Sequence, residues 1–371
     1  MKVCIASMAP FVGGAEVSAE RLAVALRGAG CEVFLLLGNR GAVMERLERA
    51  GLRCAYSPMY LTDKWHWWRY LRARRALRRL LEVERPDVVH SNDLPTHQMV
   101  SGAARGLPAP RICHHRFTYG GAAIDWFNKY GAERHLFISR ALMDELCANS
   151  ARLRASSRAV IHNGVPLPPR PGAEQRRAAR ERLGLPRDGL VVTYSGRVVA
   201  TKGVADLLQA WSRLEPPWRE RAELVVVGED LRGQGRYRRE MEALGAALGC
   251  AARFVGFRED VGEWLLASDI GVVPSHVEPL GNAVLEAMAY GLPVIGCAVG
   301  GIPELVVHEQ TGLLVPPRSP ERLAAALSRC LGDEALRRRL GDLGRQRCEA
   351  HFSLPAQAGL VLREYERLLQ T

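Results

Sequence analysis

The 371-residue sequence lacks several features that would assign it to a class at once. Its nine cysteines are dispersed without a Cys-x-x-Cys pair, which argues against a disulfide framework or a cysteine zinc module and indicates reduced thiols. No apolar run approaches the roughly 18 residues of a membrane span. The opening "MKVCIASMAPFVGG" runs into a glycine pair rather than a cleavage site, so it predicts a first strand and not a signal peptide. We therefore expect a cytoplasmic protein without a bound metal or cofactor.

The charge balance is strongly basic. The chain carries 51 Lys and Arg against 40 Asp and Glu, a net charge of +11. This favours anionic partners such as nucleotides, phospholipid headgroups or nucleic acid. No recognised nucleic-acid module accompanies the charge, so we predict no nucleic-acid partner.

Short apolar runs alternate with helical patterns along the whole chain, which predicts parallel α/β sheets covered on both faces. The predicted strands are 2–6, 31–37, 87–90, 111–114, 134–138, 158–161, 190–195, 222–228, 252–257, 269–275 and 293–296. The proline-rich segment 162–172 between the two series predicts a linker. We expect two doubly wound, Rossmann-like domains, residues 1–165 and 166–352, and a final helix, 353–371, that packs back on the first domain. Ligands of such sheets bind beyond the carboxyl ends of the strands, so the interdomain cleft is the expected site.

Glycines follow the first predicted strand in "PFVGGAEV". Gly13 and Gly14 would allow close approach to a phosphate at the N-terminus of the following helix. A tight turn that needs positive φ explains them equally well, because the loop has neither Gly-x-Gly-x-x-Gly nor Walker spacing.

Two cations follow the first strand of the second half, in "YSGRVVATKG". Arg197 offers a planar fork of donors and Lys202 a compact charge, and together they could neutralise a diphosphate. In so basic a chain, either residue alone would be interpreted as part of a solvated loop.

Two glutamates, Glu278 and Glu286, lie eight positions apart in "EPLGNAVLEA". Eight helical residues advance about 12 Å, and paired glycosidase carboxyls lie roughly 5–9.5 Å apart. The spacing therefore argues against a shared acid–base couple and suits two ends of one extended polyol ligand. Taken alone, the two glutamates fit an ordinary surface pair as well.

These motifs occur in one order, and with that order the chain resembles the family 4 retaining glycosyltransferases of the GT-B fold. The resemblance runs nearly end to end and includes the Glu-x7-Glu pattern, "GGIPE" and the upstream Gly-Arg…Lys-Gly. It implies a metal-independent hexosyltransferase that uses a UDP- or GDP-hexose and a saccharide or lipid-linked acceptor. Cell-surface polysaccharide or glycoconjugate biosynthesis is the implied pathway.

The resemblance also implies roles for individual residues. Arg197 and Lys202 would hold the donor diphosphate, Glu278 the sugar hydroxyls and Glu286 the ribose. The turn Leu280, Gly281 and Asn282 would add backbone donors, the Gly13–Gly14 loop would lie against the phosphates, and Phe257 would meet the base.

The family usually has a histidine after a strand of the N-terminal domain, and "RICHHRF" offers two. His115 is preferred as the catalytic histidine because it is nearer the strand end, which leaves His114 on the acceptor side. Leu280 replaces the usual aromatic residue and Asn282–Ala283 a more apolar pair, so the sugar pocket departs most from the family pattern.

The implied mechanism has no protein nucleophile: the acceptor hydroxyl attacks from the face that the nucleotide leaves. A non-catalytic nucleotide-sugar-binding protein and a GT-B sugar epimerase are the alternatives on the same fold.

The segment "DKWHWWRYLRARRALRRLLEVERP" combines tryptophans with arginines. We predict a helix whose apolar face contains Trp65, Trp68, Leu71, Ala76, Leu77, Leu80 and Leu81, with Arg69, Arg72, Arg75 and Arg79 on the other faces. A basic helix with interfacial tryptophans suits an anionic membrane, which makes residues 64–81 a candidate peripheral contact on the inner face of the membrane. A helix packed under the sheet with a solvated arginine face is the alternative.

Overall fold

The computed structural model describes residues 1–61, 67–230 and 233–370. These residues form two compact units: Met1–Gly164 with Leu354–Thr371 is unit 1, and Val165–Ser353 is unit 2. Each unit is a parallel sheet flanked by helices, which confirms the expected Rossmann-like α/β class.

Unit 1 contains a seven-stranded sheet in the order β3-β2-β1-β4-β5-β6-β7. Its strands are β1 Lys2–Ser7, β2 Glu32–Leu37, β3 Arg53–Tyr56, β4 Val88–Ser91, β5 Arg111–His115, β6 Arg134–Phe137 and β7 Arg158–Val160. Its helices are α1 Gly14–Gly28, α2 Ala42–Arg49, α3 Trp67–Glu84, α4 Leu94–Ala104, α5 Gly121–Phe127, α6 Arg140–Ala148, α7 Ala151–Arg154 and, at the C-terminus, α17 Leu354–Leu369.

Both faces of this sheet are buried, because successive side chains of a strand point to opposite faces. Val3 and Ile5 lie in the core beneath α1 and α17. Cys4 and Ala6 lie in the core beneath α3 and α4. This two-sided burial explains why β1 and β2 have nearly continuous apolar sequences.

Unit 2 contains a six-stranded sheet in the order β10-β9-β8-β11-β12-β13. Its strands are β8 Leu190–Ser195, β9 Ala222–Val227, β10 Ala252–Gly256, β11 Ile270–Val273, β12 Val294–Cys297 and β13 Gly312–Val315. Its helices are α8 Ala173–Leu183, α9 Val204–Ser212, α10 Pro216–Arg221, α11 Arg236–Ala247, α12 Val261–Ala267, α13 Asn282–Ala289, α14 Ile302–Leu305, α15 Pro320–Gly332 and α16 Glu334–His351, with a 3-10 turn at Ala200–Lys202.

The strand order reverses once in each sheet, between β1 and β4 and between β8 and β11. Ligands of doubly wound sheets bind outside the carboxyl ends of the strands at such a switch point. The loops that follow β1, β8 and β11 contain the glycine pair, the two cations and Glu278, so the topology brings these predicted residues to the switch point of their unit.

The chain passes from unit 1 to unit 2 after Gly164, within the proline-rich segment, and returns after Ser353. The returning helix α17 packs on α1, and its Ala358, Val361 and Tyr365 are buried in the core of unit 1. No helix in the described parts of the chain combines the length and apolar character needed to cross a bilayer.

Two strands were absent from the sequence prediction, and both lie at a sheet edge. β3 has the sequence RCAY with exposed ends, and β13 has the sequence GLLV. An edge strand is covered on fewer sides and needs no long apolar run, so its pattern is weak.

The predicted apolar face of α3 was partly wrong: Leu77 and Leu81 are buried as expected and Leu71 and Leu80 pack against the same core, but Trp68 and Ala76 do not. The buried residues are Tyr70, Ala73, Leu77 and Leu81, with spacings of three and four that place them on one side. Trp68 is 50% exposed and Ala76 is also exposed. Trp65 lies outside the described residues.

Candidate functional site

The loop after β8 presents the first predicted cation. Gly196 has φ +154°, and a side chain at Gly228 would collide with the Gly196 carbonyl oxygen at 1.7 Å. The buried Tyr194 hydroxyl donates to the Arg197 carbonyl at 2.6 Å. These contacts fix the backbone, while the Arg197 side chain is exposed and has no hydrogen-bond or ion-pair partner within the described residues.

The second cation comes from the 3-10 turn that follows. The amide of Lys202 donates to the carbonyl of Val199, and Gly203 ends the turn with φ +69°. A Cβ at Gly203 would lie 1.9 Å from the carbonyl oxygen of Pro274, so the turn touches the loop after β11 backbone to backbone. Only glycine fits this contact.

Glu278 lies in that neighbouring loop, and its backbone carbonyl contacts the backbone of Gly300 and Gly301. The amide of Gly301 donates to the Glu278 carbonyl at 3.1 Å. A Cβ at Gly300 would meet the same carbonyl oxygen at 1.8 Å. The "GGIPE" motif therefore works as a backbone cradle for Glu278.

The structure brings Lys202 and Glu278 into direct contact. Lys202 Nζ lies 2.6 Å from Glu278 Oε2, and the two side chains are 15% and 14% exposed. Ser275 Oγ donates to the same carboxylate oxygen at 3.1 Å. A cation and a carboxylate, expected to hold different parts of a ligand, thus form one partly buried pair in the free protein.

The N-terminus of α13 points its amides at the same loop. Gly281, with φ +112°, precedes the helix, and Asn282 is its first residue. The first amides of a helix lack intrahelical partners and attract anions. Leu280 is buried, at 2% exposure, and Glu286 is half-buried one turn into the helix.

Phe257 follows the edge strand β10, which β9 and β8 separate from β11. Its side chain is 48% exposed. A β-bulge separates Phe254 from Gly256, and Gly256 has φ +73°. The bulge turns the chain at the strand end and presents the phenyl ring to solvent, where it could stack on a planar group.

In unit 1 the glycine pair caps α1. Gly13 is extended, at φ −132°, and Gly14 begins the helix, so neither requires positive φ. The tight-turn explanation therefore does not apply. Glu16 accepts the Gly13 amide at 3.1 Å, and burial raises the pKa of its carboxyl group.

His115 and His114 lie side by side at the end of β5 and point to opposite faces of the sheet. Both are fully buried. His115 stacks on Phe137 at 4.4 Å between ring centroids, and its Nε2 lies 2.9 Å from Nδ1 of His135. Burial and neighbouring histidines lower the pKa of both His114 and His115 well below the usual range. Each is thus a neutral core residue in this structure.

His114 belongs to a buried relay whose proton positions follow from its donors. Arg116 can only donate, so the Nδ1 of His114 that it contacts at 3.3 Å is an acceptor. His90 Nε2, at 3.1 Å from the same atom, must then carry a hydrogen. His90 Nδ1 consequently accepts the hydroxyl of Tyr365 at 2.6 Å, which links α17 to His114.

Sequence reasoning missed Arg116, which lies directly after the two histidines. It is fully buried and donates to Asn92 Oδ1 at 2.6 Å and Asn163 Oδ1 at 2.8 Å. Burial lowers its pKa to about 10, and Glu16 and Asp93 oppose that shift. Burial of an arginine is rare unless it is paired, and this feature depends on strand order rather than on a local pattern.

One group of the described residues has the side chains of a metal site. Ligand atoms of Cys113, His115 and His135 all lie within 4.8 Å of one another, and all three residues are buried. His115 and His135 already share a hydrogen bond. The group is at the core of unit 1 and contains no carboxylate.

A cavity of about 770 Å³ lies in unit 2 at the amino ends of β8 and β9. Gly189, Trp211, Arg219 and Arg221 line it. None of the predicted site residues lines it, and Arg197 and Lys202 lie beyond the opposite, carboxyl end of β8.

Two family models match successive parts of this chain. "Glycosyltransferase Family 4" matches residues 12–167, and "Glycosyl transferases group 1" matches residues 175–347. All the predicted site residues lie within these two ranges.

Some relatives align with about half of this chain, and others align with most of it. A D-inositol 3-phosphate glycosyltransferase of Streptomyces bingchenggensis is 38% identical over 193 residues, 50% of this chain and 42% of that protein. This chain thus spans less than half the length of that relative. An uncharacterized glycosyltransferase of Methanocaldococcus jannaschii is 27% identical over 355 residues, 88% and 87% of the two chains.

Solved structures share the fold over the full length. Anabaena HepE in complex with UDP-glucose has a TM-score of 0.86 at 20% identity and covers 99% of this chain and 100% of its own. The sucrose-phosphate synthase of Thermosynechococcus elongatus has a TM-score of 0.82 at 25% identity and covers 100% and 99%. The fold is therefore that of the GT-B glycosyltransferases.

Proposed function

The chain belongs to the family 4 and group 1 glycosyltransferases, and from this premise we propose that it is a retaining hexosyltransferase. It takes a hexose from a nucleoside-diphosphate sugar to a saccharide or glycolipid acceptor. The observation that supports this best is the Lys202–Glu278 pair, at 2.6 Å, beside the exposed Arg197 loop at one switch point. HepE, with the same fold, was solved with UDP-glucose.

The donor would extend along the carboxyl ends of the unit 2 strands. Arg197 and Lys202 neutralise the diphosphate, and the first amides of α13 add donors. Glu278 accepts hydroxyls of the sugar, Glu286 accepts those of the ribose, and Phe257 stacks on the base. Glu278 can receive sugar hydroxyls while it remains near Lys202, since a carboxylate has about four acceptor positions.

The reaction exchanges one C–O bond for another. The acceptor hydroxyl forms a bond to the anomeric carbon on the face from which the diphosphate leaves, and the leaving phosphate oxygen takes the proton. The protein stabilises the charge that develops on the diphosphate and holds the reactants in position. No nucleophilic side chain is needed.

We propose that this transfer needs no metal ion. Arg197 and Lys202 supply the two positive charges that a divalent cation would otherwise provide to the diphosphate. Activity should therefore persist after dialysis against EDTA, and Mg²⁺ or Mn²⁺ should not raise it. A requirement for either ion would overturn this part of the proposal.

We further propose a location on the inner face of a membrane, with lipid-linked acceptors. The support is α3, whose exposed side carries Trp68 with Arg72, Arg75 and Arg79. Because Trp68 is exposed, its ring is available to the headgroup region, where tryptophan is enriched, and the arginines beside it would attract anionic lipids.

A donor and acceptor screen tests the enzyme assignment. The purified chain is incubated with UDP- and GDP-hexoses, and stabilisation of the protein by each donor identifies those that bind. Release of nucleotide is then followed with lipid-linked and soluble acceptors, including inositol phosphate, and NMR of the product gives the anomeric configuration. Transfer with retention is expected.

Other results of this screen would replace the proposal. Donor binding without turnover on any acceptor identifies a binding protein. A changed sugar without an acceptor identifies an epimerase. Transfer with inversion contradicts the mechanism while leaving the transferase assignment intact.

A further inference from the structure

Asp206 and His276 form a second pair between the same two segments that carry Lys202 and Glu278. His276 Nε2 lies 2.8 Å from Asp206 Oδ2, and the side chains are 17% and 16% exposed. A carboxylate only accepts, so Nε2 of His276 carries the hydrogen. Asp206 comes from the first turn of α9, and His276 from the loop after β11.

The two backbone segments that carry these residues are also bonded to each other. The amides of His276 and Val277 both donate to the carbonyl of Thr201, at 2.9 and 3.3 Å. Gly203, one residue after Lys202, meets the carbonyl of Pro274 and would meet His276 Nε2 if it had a side chain. The turn and the loop therefore move together or separate together.

These contacts close a ring. From Asp206 the ring runs across to His276, along the loop to Glu278, across to Lys202 and back through Gly203 into α9. Both crossings are hydrogen-bonded charged or polar pairs of less than one-fifth exposure. Breaking the Asp206–His276 crossing leaves only the two Thr201 hydrogen bonds described above to join the turn and the loop on that side of the Lys202–Glu278 pair.

We infer that Asp206 and His276 are positioning residues that hold Lys202 and Glu278 in place for the donor diphosphate and sugar. Neither touches the ligand, and each acts through its neighbour in the ring. The inference rests on the proposed transferase function. It assigns to this chain two residues outside the Gly-Arg…Lys-Gly and Glu-x7-Glu motifs.

Loss of the Asp206–His276 pair should lower kcat more than it weakens binding of the donor. The charge on the diphosphate grows as the bond to the sugar breaks, so a cation held in place stabilises the transition state more than the ground state. Displacement of a catalytic group by about 1 Å can reduce rates on the order of a hundredfold. We expect Asp206→Ala and His276→Ala each to lower kcat about tenfold, a smaller loss because the Thr201 bonds remain.

Conservative variants separate positioning from packing. Asp206→Asn keeps an acceptor oxygen, and His276→Gln places an amide donor where Nε2 lies, so both should retain most of the activity. The double variant Asp206→Ala/His276→Ala should be no worse than either single variant, since both remove one interaction. Arg213→Ala, which removes an exposed pair with Glu321 at the end of the same helix, is the matched control and should equal wild type.

Two measurements decide the outcome. The first is kcat and KM for whichever UDP- or GDP-hexose wild type turns over, and the second is hydrogen exchange of the peptide that spans 274–280. Alanine variants with wild-type kcat, or a double variant whose loss is the product of the single losses, would overturn the inference. Stability loss with unchanged kcat would identify a merely structural pair.

Failure of the inference and failure of the proposed function give different results. A wild-type protein that turns over no nucleotide sugar refutes the proposed function. Hydrogen exchange of residues 274–280 then still tests whether the Asp206–His276 pair holds this loop in place. Faster exchange in Asp206→Ala but not in Asp206→Asn supports the inference, and unchanged exchange in Asp206→Ala refutes it. The conservative variants also keep the test informative if an alanine variant does not fold.

Discussion

Lys202 and Glu278 neutralise each other in the free protein, so a bound donor must share an existing ion pair. The pair is partly buried, at 15% and 14% exposure, and Ser275 adds a hydrogen bond. Removing one partner of such a pair leaves the other charge unpaired in a site of reduced solvation. Either residue therefore influences both the stability of the loop and the charge that meets the diphosphate.

Lys202→Met should lower kcat by roughly two orders of magnitude, comparable to the loss of one transition-state hydrogen-bond donor. Glu278→Gln should reduce turnover as well and raise KM for the sugar donor, because a neutral amide accepts fewer hydroxyls. Steady-state kinetics with the donor found in the screen measures both.

Arg236→Met is the matched control for these variants, since Arg236 is exposed on α11 and its one ion pair within the described residues is with Glu240, at 3.9 Å. Wild-type kcat for Lys202→Met would refute its assignment to the diphosphate. A loss of activity in Arg236→Met of the same size would show that the effect is not specific to the site.

The candidate residues of the unit 2 site could be selected from the sequence, and the contacts among them could not. Arg197, Lys202 and Glu278 could be selected because each lies in a segment that follows an apolar strand. The pairing of Lys202 with Glu278, 76 positions apart, depends on β8 lying beside β11, which no local pattern encodes. The same holds for Asp206 and His276.

At the scale of the element, α3 shows how a tryptophan can be assigned to the buried side of an amphipathic helix when it lies on the exposed side. Tryptophan is apolar in area but has a polar N–H, and it is often only partly buried. The helix buries Tyr70 and Ala73 together with the expected Leu77 and Leu81, against α4 and the sheet. Strands with continuous apolar runs were easier to predict than this helix face or the short edge strands β3 and β13.

The exposed side of α3 is a defined cationic surface. Arg72, Arg75 and Arg79 are exposed around Trp68, and none has an ion-pair partner within the described residues. Trp67 of α3, 60% exposed, and Trp126 of α5, 50% exposed, are further exposed tryptophans, and Lys129 Nζ lies 4.4 Å from the Trp126 ring. Lys129, two residues after α5, also lies 5.7 Å from the Tyr70 ring, so the segment that follows α5 lies beside α3.

Charge reversal on this surface should weaken binding to anionic vesicles. Each basic residue near an anionic membrane contributes about 1 kcal/mol, so Arg72→Glu/Arg75→Glu/Arg79→Glu should reduce the partition coefficient by about a hundredfold or more. Cosedimentation with phosphatidylcholine vesicles, with and without phosphatidylglycerol, measures it. Wild-type binding should also fall as salt is raised.

The control for this triple variant reverses three exposed arginines of unit 2, Arg177, Arg187 and Arg322, which gives the same net charge. It should bind like wild type. Equal binding of wild type to neutral and anionic vesicles, or equal losses in both triple variants, would refute a membrane contact through α3.

At the scale of the whole molecule, the two units differ in their buried histidines. Unit 1 buries five of them within or beside β4, β5 and β6: His90, His97, His114, His115 and His135. Burial lowers the pKa of His90 and His135 to about 3 and that of His97 to about 4. The fold of unit 1 therefore requires these rings to be neutral.

Acid should consequently destabilise unit 1. In the unfolded chain histidine titrates near 6.5, so below that pH the unfolded state binds more protons than the folded one and folding stability falls. Above about pH 6.5 these groups contribute no pH dependence. The raised pKa values of Glu16 and Asp93, due to burial, act in the opposite direction, and they offset only part of five histidines.

The predicted loss in the free energy of unfolding is large compared with the total stability of an ordinary domain. Each histidine contributes up to about 1.4 kcal/mol per pH unit below 6.5, so five could remove several kcal/mol by pH 5, against a total of roughly 5–15 kcal/mol for a domain. Hydrogen exchange of the full chain at pH 7.5 and pH 5, corrected for intrinsic rates, should show loss of protection in β4, β5 and β6. Peptides from β8, β9 and β11 provide the control within the same molecule. Equal loss of protection in both units, or unchanged protection in β5, would contradict the assignment of these histidines as neutral core residues and would reopen a titrating role for His114 or His115 in transfer.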